Sequence, residues 1–167
     1  MRFSYEYLDY AHGEAGFNAA TDSERPLTEN GRKTAYKQGQ WLAKRFLEQS
    51  IVSDKVIVSP YLRAQQTFEA LNEGMQAVDF KRNLVNSSIE IWEGVTPGGD
   101  PENVKNYLDF LREEGAKNIL IVSHLPLVYD LVVSLTQHQD SVHFYPAVIA
   151  EIDWKTDFGK VSAIENP

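Results

Sequence analysis

Two histidines and one arginine stand where side chains of this chain are best placed to do chemistry. His124 comes just after the apolar run Ile119–Val122, and His12 follows an aromatic-rich segment that begins at Phe3. Arg63 falls in the first turn of a predicted helix, where a cation opposes the helix dipole. It is therefore interpreted either as a solvated surface residue or as a residue that faces a bound anion. Each residue alone also fits an ordinary role, as a loop-bonding histidine or a surface arginine. The strands and helices that position these three residues must therefore distinguish a functional role from an ordinary one.

The segment Lys117–Leu135 is predicted to form a buried strand, a turn and a helix. The run Ile119–Val122 is typical of a parallel strand covered on both faces. Pro126 suits the first position of the helix that follows, because its missing N–H costs nothing there. His124 is thus predicted at the C-terminal edge of a strand beside a helix start, where open α/β sheets bind ligands and free N–H groups attract anions.

Strands and helices alternate along the rest of the chain, with His12 and Arg63 also at strand ends. The other predicted strands are Phe3–Tyr10, Lys55–Val58, Ala147–Trp154 and Lys160–Ile164, with two more near Phe80–Val85 and Ile89–Trp92. The predicted helices are one capped by Thr28 that runs to about Gln49, one capped by Ser59 with Pro60 first, and one capped by Asp100 with Pro101 first that stops at Gly115. This alternation predicts one α/β domain, residues 1–167, with a mostly parallel sheet.

The composition narrows the classes of protein to which the chain can belong. The 167 residues include no cysteine, which excludes disulfides and thiolate metal sites and is compatible with a reducing compartment. A formal net charge of −8 argues against a general nucleic-acid surface. No signal peptide or membrane span is predicted, because the start of the chain lacks an apolar core and polar residues interrupt Ile119–Leu135. We therefore expect a soluble cytoplasmic protein.

Several segments resemble known signature sequences. Ser59–Thr67 and Val122–Pro126 resemble two signature segments of the histidine phosphatase superfamily. Asp22–Thr28, Thr96–Asp100 and the short length make the chain similar in particular to the SixA-type phosphohistidine phosphatases. Several segments matching in order, from about Tyr7 to Asp153, are far more specific than any one of them. The resemblance implies a single-domain, phosphoglycerate mutase-like three-layer sandwich, with helices on both faces of the sheet.

The resemblance also implies a mechanism that suits these residue types. His12 is the implied nucleophile, since a neutral imidazole can take the phosphoryl group and form a phosphohistidine that water then hydrolyses. Arg63 is implied to hold the phosphoryl oxygens through its planar fork, and His124 to donate to the equatorial oxygens in a loose transition state. No metal or other cofactor is implied. His138 and His143 lack a supporting acidic cluster, and we interpret them as ordinary loop or surface histidines.

The chain departs from the family pattern at its first motif, where the family has arginine and this chain has Ala11 before His12 and Gly13. The missing arginine is one of two that clamp the phosphate. The strand is altered or engineered, the protein is a degenerate phosphate-binding relative, or another cation compensates. Arg25 is the candidate compensator, although such a residue is more often simply a surface arginine. Glu93 is the nearest candidate proton donor, and a solvated loop glutamate is an equal alternative.

The favoured function is that of a phosphatase acting on protein phosphohistidine. A P–N bond is weak and imidazole is a good leaving group, so little help from an acid is required. The compact chain also lacks the long insertions that build a small-molecule lid in mutase-like relatives. The expected partner is a phosphorylated histidine-phosphotransfer domain or a phosphocarrier protein. Binding to nucleic acid or to a membrane is not expected. The alternatives are a small-molecule phosphomonoesterase and, because of Ala11, a catalytically weak phosphoprotein-binding relative.

Overall fold

One six-stranded sheet runs through the protein. The computed structural model describes residues 3–8 (backbone only), 19–79, 81, 84, 88–154 and 158–167. The strands are β1 (Phe3–Leu8), β2 (Lys55–Val58), β3 (Ser88–Ile91), β4 (Asn118–Val122), β5 (Ile149–Trp154) and β6 (Lys160–Glu165). Their order is β3-β2-β4-β1-β5-β6. The first four strands pair in parallel, while β5 runs antiparallel to both β1 and β6.

In the described part of the chain, four α-helices cover the two faces of this sheet. They are α1 (Glu29–Gln49), α2 (Leu62–Val78), α3 (Pro101–Glu113) and α4 (Leu127–Leu135). Apolar residues of α1 and α2 pack in one core, and those of α3 and α4 pack in a second core on the opposite face. The predicted three-layer α/β architecture with a mostly parallel sheet is therefore confirmed.

The apolar run in β4 supplies both cores. Ile119 and Ile121 pack with α3 and α4, whereas Leu120 and Val122 pack with α1 and α2. Successive side chains of a strand point to opposite faces, so a strand covered on both sides needs an unbroken apolar sequence. This double burial fixes the end of β4 and hence the start of the turn that carries His124.

Close packing joins α1 to α2. A Cβ atom at Gly39 would collide with the backbone oxygen of Leu71, and one at Gly74 would collide with the backbone oxygen of Tyr36. Glycine at both positions therefore lets the two helix backbones touch. This contact holds the second half of α2 closely against α1.

Helix starts were predicted with mixed success. Thr28 caps α1 by accepting a hydrogen bond from Gly31 N–H at 3.1 Å, and Asp100 caps α3 with Pro101 in its first turn, as expected. The predicted start of α2 at Pro60 is wrong. Ser59 Oγ accepts from Tyr61 N–H at 3.2 Å in a preceding turn, and Tyr61 is the residue that caps the helix.

Smaller boundary differences occur elsewhere. Pro126 precedes α4 as its cap instead of being its first residue. Ala147 has a φ of 68°, which places it in the left-handed region and outside β5. The strand near Ile89–Trp92 is confirmed as β3. The end of the predicted first strand, residues 9 and 10, and most of the predicted Phe80–Val85 strand lie outside the described residues.

Candidate active site

The parallel strands end level with one another at one edge of the sheet. The last residues of β1, β2, β3 and β4 stand in register across the sheet, in the order Ile91, Val58, Val122, Leu8. Glu93, Arg63 and His124 follow three of these strand ends. His12 and Ala11 follow the fourth, and both lie outside the described residues. The structure thus places Arg63 and His124 after neighbouring strands at the C-terminal edge of the sheet, and the roles of the predicted site residues stay predictions.

His124 is completely buried and held by the turn after β2. Its Nε2 lies 2.7 Å from Ser59 Oγ. Ser59 is itself anchored to β4, because its backbone N–H donates to Val122 O at 3.1 Å. The Tyr61 ring packs beside the imidazole with its centroid 5.1 Å away. The ring of His124 therefore has its orientation set by residues of a neighbouring strand and turn.

Arg63 lies in the first turn of α2 and is only 5% exposed. Its Nη1 donates to the backbone oxygen of Asp22 at 2.8 Å, and its Nη2 to Asp22 Oδ2 at 3.2 Å. The guanidinium carbon lies 5.0 Å from the centre of the Tyr61 ring. Tyr61 thus contacts both Arg63 and His124, so the structure brings these two predicted site residues together.

One donor of the Arg63 guanidinium is unused. Within the described part of the chain its Nε is buried and has no hydrogen-bond partner. Nε and Nη2 form the edge of a guanidinium that binds two oxygens of a carboxylate or phosphate side by side. Only half of that edge is occupied, and a buried unsatisfied donor is costly unless a ligand meets it.

Arg25 lies close to Arg63 because both bind Asp22. Arg25 Nη1 donates to Asp22 Oδ1 at 2.9 Å, while Arg63 binds the other oxygen. Partial burial alone would raise the pKa of the Asp22 carboxyl. The hydrogen bonds and charges of the two arginines outweigh that effect and hold this pKa below its ordinary value. Asp22 is therefore a charged bridge between the two cations.

Glu93 stands apart from this cluster. It begins a short 3-10 turn after β3, and its side chain is exposed to solvent. Its backbone oxygen accepts from the hydroxyl of Thr96 at 3.0 Å. Its carboxylate makes no hydrogen bond or ion pair to any residue that the structure describes. Its role as a proton donor stays a prediction.

The described residues contain no group of three or more histidine, cysteine or acidic side chains that could hold a metal ion. His138 and His143 are both exposed. None of the described helices combines the length and the apolar character that a membrane crossing requires.

Reasoning from the sequence did not assign Asp22, Ser59 or Tyr61 to the site. A signal existed for Asp22, because an acid three residues before Arg25 can pair with it in a tight turn. Its contact with Arg63, 41 positions away, depends on tertiary structure. Ser59 was noticed, but as the cap of α2 instead of the partner of His124.

The chain is similar to known proteins both in sequence and in fold. Residues 11–113 match the family model of the histidine phosphatase superfamily (branch 1). The chain is 46% identical over 145 residues to a phosphohistidine phosphatase SixA homolog of Haemophilus influenzae, covering 86% of this chain and 84% of that protein.

Several solved structures are similar to nearly the whole chain, among them a phosphatase and a mutase. One is the protein histidine phosphatase SixA complexed with tungstate, with a TM-score of 0.78, 32% identity and coverage of 96% of this chain and 95% of that one. The other is phosphoglycerate mutase from Bacillus anthracis, with a TM-score of 0.70, 14% identity and coverage of 97% and 92%. The second likeness concerns the fold alone.

Proposed function

Because the chain belongs to the histidine phosphatase superfamily, we propose that it removes the phosphoryl group from protein phosphohistidine through a phosphohistidine formed on its own His12. The observation that carries this proposal is the buried Arg63, whose half-empty guanidinium edge lies in the same cluster as the buried His124. The relatives named for phosphohistidine phosphatase activity, one of them bound to tungstate, support the same substrate class.

In the proposed reaction a nitrogen of the His12 imidazole attacks phosphorus, and the P–N bond to the substrate histidine breaks. The departing imidazole leaves as neutral histidine with the proton that the His12 ring gives up when it becomes phosphorylated. Water then attacks the phosphohistidine, which restores His12 and releases orthophosphate. Arg63 binds phosphoryl oxygens in both steps, and His124 donates to the oxygens on which charge gathers.

Arg25 is proposed to supply the second cation that Ala11 does not. Its support is the shared carboxylate, because Arg25 and Arg63 bind the two oxygens of Asp22 and so flank a single anion. A phosphoryl group offers oxygens in a similar arrangement, and arginine binds it with charge-assisted hydrogen bonds. Arg25→Ala is then severely damaging to turnover, and Ala11→Arg gives little gain.

The proposed partner is a phosphorylated histidine-phosphotransfer domain or a phosphocarrier protein. The proposed location is the cytoplasm, with which the absence of cysteine is compatible. Glu93 is exposed, and a phosphohistidine substrate asks little of an acid because imidazole is a good leaving group. An alkyl phosphate has a poorer leaving group and depends more on a proton donor.

The test compares a purified phosphorylated phosphotransfer domain with a sugar phosphate at equal concentration. We expect faster phosphate release from the phosphohistidine, and no release by His12→Ala. Faster release from the sugar phosphate would favour the phosphomonoesterase alternative. Tight binding of the phosphorylated domain without release would favour a binding protein.

A further inference from the structure

Asp22 lies where the two arginines of the site meet. We infer that its carboxylate is an internal competitor for the anion site between Arg25 and Arg63, an inference that rests on the function proposed for that site. A phosphoryl group must then displace this carboxylate in order to bind. Asp22 thereby sets how tightly the protein holds the phosphoryl group of its substrate.

The contacts of Asp22 are those of a bound anion. Its Oδ1 accepts from Arg25 Nη1 at 2.9 Å and its Oδ2 from Arg63 Nη2 at 3.2 Å. The two cations come from different parts of the chain, Arg25 from the loop before α1 and Arg63 from α2. An oxyanion with two oxygens on one central atom can make the same pair of contacts.

The position of Arg63 does not depend on this carboxylate. Its Nη1 binds the backbone oxygen of Asp22 at 2.8 Å, a contact that any residue at position 22 would keep. The Tyr61 ring and the surrounding core also hold the guanidinium. The Asp22 side chain is 53% exposed, so water is available to its carboxylate when it leaves. The competitor can therefore depart without dismantling the site.

A tetrahedral anion gains contacts that the carboxylate cannot make. Asp22 leaves the buried Arg63 Nε without a hydrogen-bond partner among the residues that the structure describes. A phosphoryl group has three terminal oxygens, enough to meet Arg63 Nε and Nη2 together and still reach Arg25. This surplus of charge-assisted hydrogen bonds lets the substrate win the competition.

The effect on affinity follows from the population of the competing state. The apparent affinity of a ligand falls by the fraction of molecules in which its site is open. Replacing Asp22 by asparagine keeps the size of the side chain and removes its charge, so its hydrogen bonds with both arginines become weaker. We expect Asp22→Asn to bind tungstate and inorganic phosphate about tenfold more tightly than the natural chain.

The experiment is calorimetric titration of the purified full chain with tungstate and with inorganic phosphate. Glu24→Gln is the matched control, because it removes the same charge from the same turn, and Glu24 forms no ion pair with any described residue. We expect Asp22→Asn to bind both anions more tightly and Glu24→Gln to bind them like the natural chain. Adding Arg25→Ala to Asp22→Asn should abolish the gain.

Asp22→Asn binding no more tightly than Glu24→Gln, or more weakly than the natural chain, would overturn the inference and make Asp22 a positioning residue for the arginines. Absence of anion binding in every variant would overturn it as well. Tighter anion binding by Asp22→Asn without any phosphohistidine hydrolysis would leave the inference standing and refute the proposed function. Hydrolysis of phosphohistidine, with anion binding that Asp22→Asn leaves unchanged, would support the proposed function and refute the inference.

Discussion

Two arginines of this protein hold carboxylates in different ways. Arg45 on α1 binds Glu151 on β5 with both atoms of its edge, Nε at 3.1 Å and Nη2 at 3.0 Å, and Glu151 is 2% exposed. Arg63 presents the same edge to Asp22 but uses only Nη2, at 3.2 Å, toward a half-exposed carboxylate. The first pair is complete, whereas the second leaves a donor for another ligand.

The surroundings of the two pairs explain the difference. Glu151 also accepts from Ser162 Oγ at 2.8 Å and from Gln49 Nε2 at 3.4 Å, so its oxygens are well satisfied. The pair lies between a helix and the sheet, with Glu151 opposite Glu6, two residues before the end at which β1 stops in register with the other parallel strands. Arg63 lies at those ends, where parallel sheets bind ligands. The partly exposed Arg45 with its filled edge joins the helix to the sheet, and the buried Arg63 with its half-filled edge is the arginine that we propose as a ligand-binding residue.

The largest effect is expected for Arg63. Arg63→Ala should lower turnover of a phosphohistidine substrate by about 10²–10³-fold, the usual loss when a donor to the transition-state charge is removed. Arg63→Lys is the control, because it keeps the charge but loses the fork, and it should recover only part of the activity. Steady-state kinetics with circular dichroism to verify folding would check this. Activity of Arg63→Ala near that of the natural chain would end its assignment.

The reverse pattern is expected for Arg45. Arg45→Ala should lower the free energy of unfolding by about 3–5 kcal/mol, because it leaves the buried charge of Glu151 without its partner. Turnover of the folded protein should not change. Replacing both residues by leucine should recover most of the stability. Urea unfolding measures all three, and a loss by Arg45→Ala below about 1 kcal/mol would mean that this pair behaves like an exposed salt bridge.

The smallest of these effects is expected on the free energy of unfolding at acidic pH. Burial alone would raise the pKa of Glu151, but hydrogen bonds from Arg45, Ser162 and Gln49 and the charge of Arg45 outweigh it and hold this pKa below its ordinary value. A carboxyl whose pKa is lower in the folded state contributes stability above its unfolded pKa and loses it as pH falls through the folded value. The free energy of unfolding should therefore decrease as the pH drops below about 4.5, and this decrease should be smaller in Glu151→Gln.

The pKa of Asp22 is also lower in the folded state, but this carboxyl is half-exposed, so it contributes less to the free energy of unfolding. Unfolding by urea at a series of pH values would separate the two groups through Glu151→Gln and Asp22→Asn. Equal acid sensitivity in the natural chain and Glu151→Gln would contradict the stabilising role of the Arg45–Glu151 pair.

The backbone of the site was predictable because local patterns determine it. The apolar sequence of β4 and the caps of α1 and α3 depend on neighbouring residues, and the structure confirms them. The resemblance to the histidine phosphatase superfamily is also confirmed. The side-chain contacts were harder to predict. The Ser59–His124 hydrogen bond depends on α2 starting at Leu62, two residues after the predicted position, which leaves Ser59 free of the helix cap.

Arg25 illustrates the same limit. From the sequence it was either a compensating cation or a surface residue, and nothing local distinguished these alternatives. The structure shows its ion pair with Asp22, which also binds Arg63. This meeting of a loop with the start of α2 is a long-range contact, which charge patterns along the chain do not specify. Its role in binding phosphate stays a proposal.

The central claim is that phosphoryl transfer at this edge of the sheet passes through His12. The most direct measurement is a rapid quench during turnover of a labelled phosphohistidine substrate, followed by peptide mapping. We predict an acid-labile, alkali-stable phosphate on His12, absent from His12→Ala and present, with altered rates of formation or loss, in His124→Ala. Label on His124, or hydrolysis that survives in His12→Ala, would contradict the claim.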